Sequence, residues 1–335
     1  MHSLRKFAGK TVVAFLLASI LAWCALAIMY SNLPGELLRN GIAALLVLGW
    51  TSAFILVKNR QQIILGLCVC VALIVLWWIM IPASNDRSWQ PDVAVLPHAT
   101  IEGNRVTVHN IRNFEYRTET DFTPQYYDKT FDLQKLDSVD LVAVYWMGPD
   151  IAHNFLSFGF EGTDYLAISI EVRKEVGEDY STLKGFFKQY ELYYVVADER
   201  DVIRVRTNYR KNPPEQVYVY RLHAPLERAR KVFLDYLSKI NTLGTQPEFY
   251  NTLTTNCTTN ILMHSRVNPD SLGFSWKILL PGHTPEYIYD NGVMRSDLPF
   301  SELQERSLIN VVAQEADTAP DFSQRIREGL PGMER

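Results

Sequence analysis

Three uncharged apolar runs open the chain, at 11–30, 41–57 and 63–82. Each has the roughly 17–25 residues that a helix needs to cross a bilayer. Trp77, Trp78 and Tyr30 near their ends suit an interfacial belt. Beyond Pro82 the pattern shortens. A polar linker over 84–94 leads into alternating segments at 105–109, 114–117 and 141–146, read as strands. Segments 154–160 and 165–172 predict a hairpin around Glu161-Gly162-Thr163-Asp164, because Gly and Asp form turns. A second pair, 191–196 and 201–207, is predicted across 197–200, and 216–222 is a further strand.

The period then changes. Pro225 opens a helix in which Leu226, Ala229, Val232, Phe233, Tyr236, Leu237 and Ile240 recur at helical spacing up to Gly244. A second helix is predicted from Asn256 or Cys257 to about Val267, closed by Asn268-Pro269. A third covers 301–312, and 321–335 reads as a surface tail. Strands followed by helices predict an α+β domain with an antiparallel sheet. The expected organisation is three transmembrane helices within 1–83, the linker 84–94, a soluble domain over 95–300, and a C-terminal helix and tail over 301–335.

Charge orients this plan. Arg5, Lys6 and Lys10 precede the first run and Lys58 and Arg60 separate the second from the third, whereas the intervening loop holds only Glu36 and Arg39. The positive-inside rule puts the N-terminus in the cytoplasm and the soluble domain across the membrane. In a bacterium with two membranes that means a multi-pass inner-membrane protein with a periplasmic domain. A cleaved signal peptide fits less well: the first run is long, no small-x-small site follows, and two more spans come after. The first 83 residues hold six of the 33 Lys and Arg and one of the 37 Asp and Glu, so the remainder carries a formal net charge of −9. Bulk charge therefore gives no support to a nucleic-acid partner.

Of the four cysteines, Cys24, Cys68 and Cys70 lie in the apolar runs, and Cys257 is the only one after them. It stands in Thr254-Thr255-Asn256-Cys257-Thr258-Thr259-Asn260, where a helix begins, and unpaired N–H groups there favour thiolate. A buried inert thiol is the plainer reading, but the polar flanks point to a solvent-reachable helix start. A thiol nucleophile needs a base. His264, seven residues on, is two turns away, about 10.5 Å along the axis. His223 beside the helix entry reads as packing or capping. His153, at the mouth of the strand Ala152-His153-Asn154-Phe155 after the Gly148-Pro149 break, is better placed. Ser169 and Glu171 share a face of the neighbouring strand, so Glu171 is the candidate to orient the imidazole, with Ser169 and Asn154 as alternatives. An exposed ion pair of Glu171 with Arg173 or Lys174 is the bland alternative. The charges of Asp198-Glu199-Arg200-Asp201 read as solvation at a hairpin tip. No nucleophile elbow, phosphate loop or metal-ligand spacing is present, so no cofactor or metal is expected.

The string from Ala152-His153-Asn154-Phe155-Leu156-Ser157-Phe158 through Ser169-Ile170-Glu171-Val172-Arg173, Tyr190-Glu191-Leu192 and Asp198-Glu199-Arg200-Asp201 to Thr255-Asn256-Cys257 resembles a bacterial family. That family is described as the N-terminal periplasmic domain of the Lnb type. The resemblance covers roughly residues 95–300. It implies a circularly permuted relative of the papain-like NlpC/P60 fold, with histidine preceding cysteine in the chain, and lipoprotein N-acylation as the activity of its best understood members. It also implies Cys257 as nucleophile and His153 as general base, with Glu171 the weaker transfer. The chain departs from those acyltransferases in gathering its spans into one N-terminal block.

The resulting expectation is a membrane-anchored thiol acyltransferase or lipid/amide hydrolase acting through a thioester, with a membrane lipid or lipoprotein as substrate. A cell-wall peptidase or amidase and a non-catalytic envelope scaffold are the alternatives. Apolar walls beside Cys257 favour acyl chains, and polar walls with a cationic clamp favour peptide stems. A separation of more than about 6 Å between the Cys257 sulfur and the His153 ring would favour the scaffold.

Overall fold

The computed structural model describes residues 2–294 and 296–333, without the side chains of residues 2–8 and 10. Arg5, Lys6 and Lys10, on which the orientation rests, are among those side chains. The chain forms two compact units, residues 1–84 with 180–190, and 85–179 with 191–335.

The first unit holds α1 (His2–Met29), α2 (Glu36–Leu56) and α3 (Arg60–Met80). All three are long and apolar enough to cross a membrane, with candidate spans at Thr11–Met29, Glu36–Leu56 and Arg60–Met80. Ala25, Ile28 and Ala43 make a small core with Leu46, Ile74 and Trp77, while Phe15, Leu45, Leu65 and Leu73 remain exposed. Helices that leave most apolar side chains outward are built for a lipid surround. Segment 180–190 packs on this unit. Phe187 lies against Trp23 and Tyr30, and Lys188 Nζ donates to the carbonyls of Ile79 and Ile81 at the end of α3.

The second unit is built on β1 (His98–Glu102), β2 (Arg105–Arg112), β3 (Glu115–Tyr116), β4 (Phe122–Thr123), β5 (Tyr126–Asp132), β6 (Leu136–Tyr145), β7 (Ala152–Phe160), β8 (Asp164–Arg173), β9 (Glu191–Asp198) and β10 (Gln216–Arg221). Eight of them form one sheet in the order β1-β2-β9-β8-β7-β6-β10, with β5 on β2. Every pairing is antiparallel except β2 with β9, which is parallel through Arg112 and Ala197, so the sheet is mixed. The β7–β8 hairpin turns where predicted, with Glu161 at φ 52° and Gly162 at φ 64°. β6 and β7 are buried almost throughout because both sheet faces are covered. On one face lies the amphipathic α5 (Leu226–Thr245), whose Phe233 and Tyr236 meet Phe158. On the other, Val142, Val144, Phe155, Val195 and Val217 pack against the C-terminal segment.

Several expectations give way here. Segment 201–207 is not a strand. Asp198 caps a short helix, accepting from the Arg200 N–H at 2.9 Å, and α4 (Glu199–Val202) leads into a π-helical turn, Val205–Tyr209. The acidic cluster does not solvate a tip. Glu199 and Asp201 are fully buried, Glu199 against Arg327 and Asp201 against Arg112. The expected surface tail is core: Phe322, Ile326 and Leu330 are buried, and Arg327 bridges Glu199 and Asp140. The helix expected over 301–312 is two, Phe300–Arg306 and Asn310–Glu315. Between them Ser307 and Ile309 bond the β10 backbone and so occupy an otherwise open sheet edge. Strands β1, β4 and β5 had no counterpart in the sequence reading.

Candidate active site

The sheet forks at one end. β7 and β8 pair from Leu156↔Ile168 to Phe160↔Asp164 and then separate. β7 continues to Ala152 on β6 alone, while β8 continues to Arg173 on β9 alone. Extending the hairpin register by three residues sets His153 opposite Glu171. In place of backbone pairing, side chains bridge the gap: His153 Nε2 lies 2.6 Å from Ser169 Oγ and 2.9 Å from Glu171 Oε1. Ser169 Oγ in turn donates to Glu171 Oε1 at 2.7 Å. With Nε2 committed on that side, Nδ1 is the ring nitrogen left for another partner.

Cys257 stands beside the ring. α6 (Cys257–Ser265) packs against both prongs of the fork. Its start is fixed by a capping box: Asn256 accepts from the Thr259 N–H at 2.8 Å, and Thr259 Oγ1 accepts from the Asn256 N–H at 2.9 Å. Cys257 is thereby the first helical residue. The first intrahelical bond runs from Asn260 N–H to Asn256 O, so the amides of Cys257 and Thr258 precede the hydrogen-bonded ladder. The thiol lies beside the His153 ring and the Asn154 backbone N–H, near enough that both act on its charge. Thr258 Oγ1 stands 3.7 Å from Sγ. Cys257, His153 and Glu171 therefore converge, although 104 positions separate the cysteine from the histidine.

Burial alone would hold the thiol protonated and the imidazole neutral. For Cys257 it raises the pKa, but the adjacent His153 and the donors from Asn154 and Thr258 outweigh it and bring the thiol below its ordinary value. For His153 burial lowers the pKa, and the charges of Glu171 and Cys257 reverse this and lift it to about 9. Glu171 is likewise pushed up by burial, then held well below the carboxylate range by His153, Arg206 and Ser169. All three shifts favour the same state, a thiolate–imidazolium pair backed by a carboxylate.

Cys257 is buried, at 6 % exposure, and not the solvent-reachable position that its polar neighbours imply. Those neighbours face inward to cap α6 and to meet Asn154, whose amide donates to Pro281 O at 2.8 Å and to Thr258 Oγ1 at 3.4 Å. The strand carrying His153 is locked to the segment after α6. Tyr145 OH donates to Gly282 O, the Gly282 N–H to Asp150 O, and His283 Nε2 meets Asp150 Oδ1. Gly282 sits so close to the backbone of Pro149 and Asp150 that a Cβ has no room.

Of the other sequence candidates, His264 is a satisfied core residue between Tyr194 OH and Asp235, each at 2.7 Å. Arg173 does not pair with Glu171; it reaches Val93 O, Ala94 O and Asn85. Ser169 and Asn154, named as alternatives to Glu171, both belong to the cluster. Arg206 was not anticipated. Its Nη2 lies 2.9 Å from Glu171 Oε1, and nothing in the local sequence announces this, because the segment reads as a strand.

Residues 122–284 match the family model described as the Lnb N-terminal periplasmic domain. This stretch contains His153, Glu171 and Cys257. Neither a curated protein nor a solved structure matches the chain. With three helices able to cross a membrane ahead of the matched segment, this is a membrane-anchored protein with a periplasmic domain, and its residues 122–284 belong to the Lnb N-terminal periplasmic domain family.

Proposed function

We propose that the protein is a thiol acyltransferase of the inner membrane, its anchor within residues 1–83 and its N-terminus in the cytoplasm. Cys257 is the nucleophile, His153 the general acid and base, and Glu171 the group that orients the imidazole. The convergence of thiol, imidazole and carboxylate at the fork of the sheet is the observation that carries this reading. In the first half-reaction the thiolate attacks the carbonyl carbon of a lipid ester. The ester bond breaks, His153 delivers its proton to the departing alkoxide, and a thioester remains on Cys257. In the second, an amine attacks the thioester carbon and loses its proton to His153, and the thiolate leaves. The first-turn amides of α6 are suited to the oxyanion at both steps. The order of release makes the kinetics ping-pong.

An acyl substrate is favoured over a cell-wall peptide by the segment that follows α6. Phe274, Trp276, Leu279 and Leu280 are exposed just before Pro281, whose carbonyl holds Asn154 beside the thiol. Apolar side chains at that approach match an acyl chain and offer little to a charged peptide stem. The papain-like relationship remains part of this proposal, since a helix-borne cysteine facing a strand-borne histidine is the arrangement it implies.

The test is mass spectrometry of the purified full chain after incubation with phospholipid vesicles. The expected result is a hydroxylamine-labile acyl adduct on the Cys257 peptide that disappears in Cys257→Ser. An adduct elsewhere, or none while acyl transfer proceeds, would refute the mechanism.

A further inference from the structure

One carboxylate oxygen, Glu171 Oε1, receives three groups: His153 Nε2 at 2.9 Å, Ser169 Oγ at 2.7 Å and Arg206 Nη2 at 2.9 Å. Arg206 projects from the π-helical turn Val205–Tyr209, a rare conformation that recurs at functional sites. Its guanidinium is buried, lies 5.8 Å over the Phe155 ring and meets Glu215 Oε2 at 3.4 Å. The Phe155 ring in turn lies 5.8 Å from that of His153. Arg206 is thus fixed by packing and by its own counter-ion, with one arm on the carboxylate that His153 uses.

We propose that Arg206 is a positioning residue that sets the proton affinity of His153, holding the Glu171 carboxylate in place while opposing the positive charge on the imidazole. The proposal rests on His153 serving Cys257. Two effects of Arg206 act in one direction. Its charge repels the imidazolium, and its hydrogen bond takes up part of the capacity of Oε1 that Nε2 would otherwise have. Both make the His153 proton easier to release, which a general acid requires.

Among the described residues, the charged and titratable groups facing this pair come from several elements. Cys257 faces it from α6, Arg206 and Arg210 from the π-helical turn and its end, and Glu215 from the residue before β10. Glu119 backs Arg210 at 3.1 Å, and Tyr236 of α5 faces the thiol. Glu215 is shared between Arg206 and Arg210, at 3.4 and 2.9 Å. Glu215→Gln should therefore act in the opposite sense to loss of Arg206: an arginine with less counter-charge opposes the imidazolium more strongly.

The test is a titration of His153 by NMR in the full chain, labelled at histidine Cε1 and held in detergent micelles. The resonance is assigned by its loss in His153→Gln. Arg206→Met should move the His153 midpoint upward by roughly one unit, the low end of what a neighbouring charge produces. Arg206→Lys, which keeps the charge, should leave it near wild type, and Glu215→Gln should move it downward. An unchanged midpoint in Arg206→Met, or an equal rise in Arg206→Lys, overturns the proposal. If Arg206→Met does not fold, the Glu215→Gln titration decides: a midpoint that stays put or rises refutes it. Full activity in Cys257→Ser would remove the nucleophile and leave these titrations readable. An inactive Cys257→Ser with a His153 midpoint blind to Arg206 and Glu215 would remove only the role of Arg206.

Discussion

His153 and His264 are both buried, both hydrogen-bonded to a carboxylate, and both close to the helix that begins at Cys257, yet their environments drive them in opposite directions. His264 has each ring nitrogen taken, by Tyr194 OH and Asp235, and stacks on Tyr236 at 3.9 Å. Burial dominates there and lowers its pKa, with Asp235 compensating only in part. Asp235 is partly exposed, and water weakens its pull. His153 has Glu171 on one nitrogen, a carboxylate held in place by Ser169 and Arg206, and the Cys257 thiol beside the ring. Its second partner is itself ionisable, so the imidazole can exchange a proton there. A buried histidine becomes chemical when one neighbour is a group that can gain or lose the same proton.

Changes at His153 and its partners should therefore fall on turnover, and changes at His264 on stability. Cys257→Ser should reduce acyl transfer by roughly 10³-fold or more with little change in the melting midpoint, since one atom is exchanged. A variant that keeps full activity would put the nucleophile elsewhere. Glu171→Gln should slow turnover by roughly 10–100-fold, because an amide holds the imidazolium less well while the thiol and amides survive. Wild-type rates in Glu171→Gln beside a large loss in Ser169→Ala or Asn154→Ala would transfer the orienting role. His264→Gln should cost about 1–3 kcal/mol of stability through its orphaned partners, read by chemical denaturation, with activity nearly intact. A collapse of activity in a folded His264→Gln would erase the contrast between the two histidines.

The pH dependence separates them further. The His153 pKa is raised from 6.5 to about 9 on folding, so its contribution to stability is complete below 6.5 and is lost as pH rises through about 9. The His264 pKa is lowered, so its contribution is present above 6.5 and is lost as pH falls through its folded value. Denaturation midpoints of His264→Gln should accordingly lose part of the acid-side decline, while the proposed acyl transfer should fall on the alkaline side as His153 loses the proton that the proposed mechanism has it deliver.

The proximity of His153, Glu171 and Cys257 was legible where its parts lie in local patterns. Asn256 and Thr259 mark a helix start, and Glu161-Gly162 fixes a hairpin whose register sets His153 against Glu171. Exposure was misread at Cys257, since polar neighbours can face inward when caps and an asparagine amide satisfy them. What the sequence concealed depends on partners far along the chain. Asp201 and Glu199 look like hairpin-tip charges until Arg112 and Arg327 bury them. The amphipathic pattern after 320 was too short to announce that Phe322 and Ile326 complete the core. Arg206 was hidden for the same reason: the π-helical turn that aims it exists only because α4 folds where alternation suggested a strand.

The most direct test of the thiolate–imidazolium pair is the rate at which iodoacetamide modifies Cys257 in the full chain at pH 6, read by mass spectrometry of its peptide against the His153→Gln variant. A pre-formed pair predicts, at a pH where an ordinary thiol is protonated, a rate in the wild type roughly 10²-fold above that in His153→Gln, the equivalent of a shift of about two pKa units, with the burial of Cys257 common to both proteins. Equal, slow rates in the two proteins, with modification rising only near the ordinary thiol range, would contradict the account.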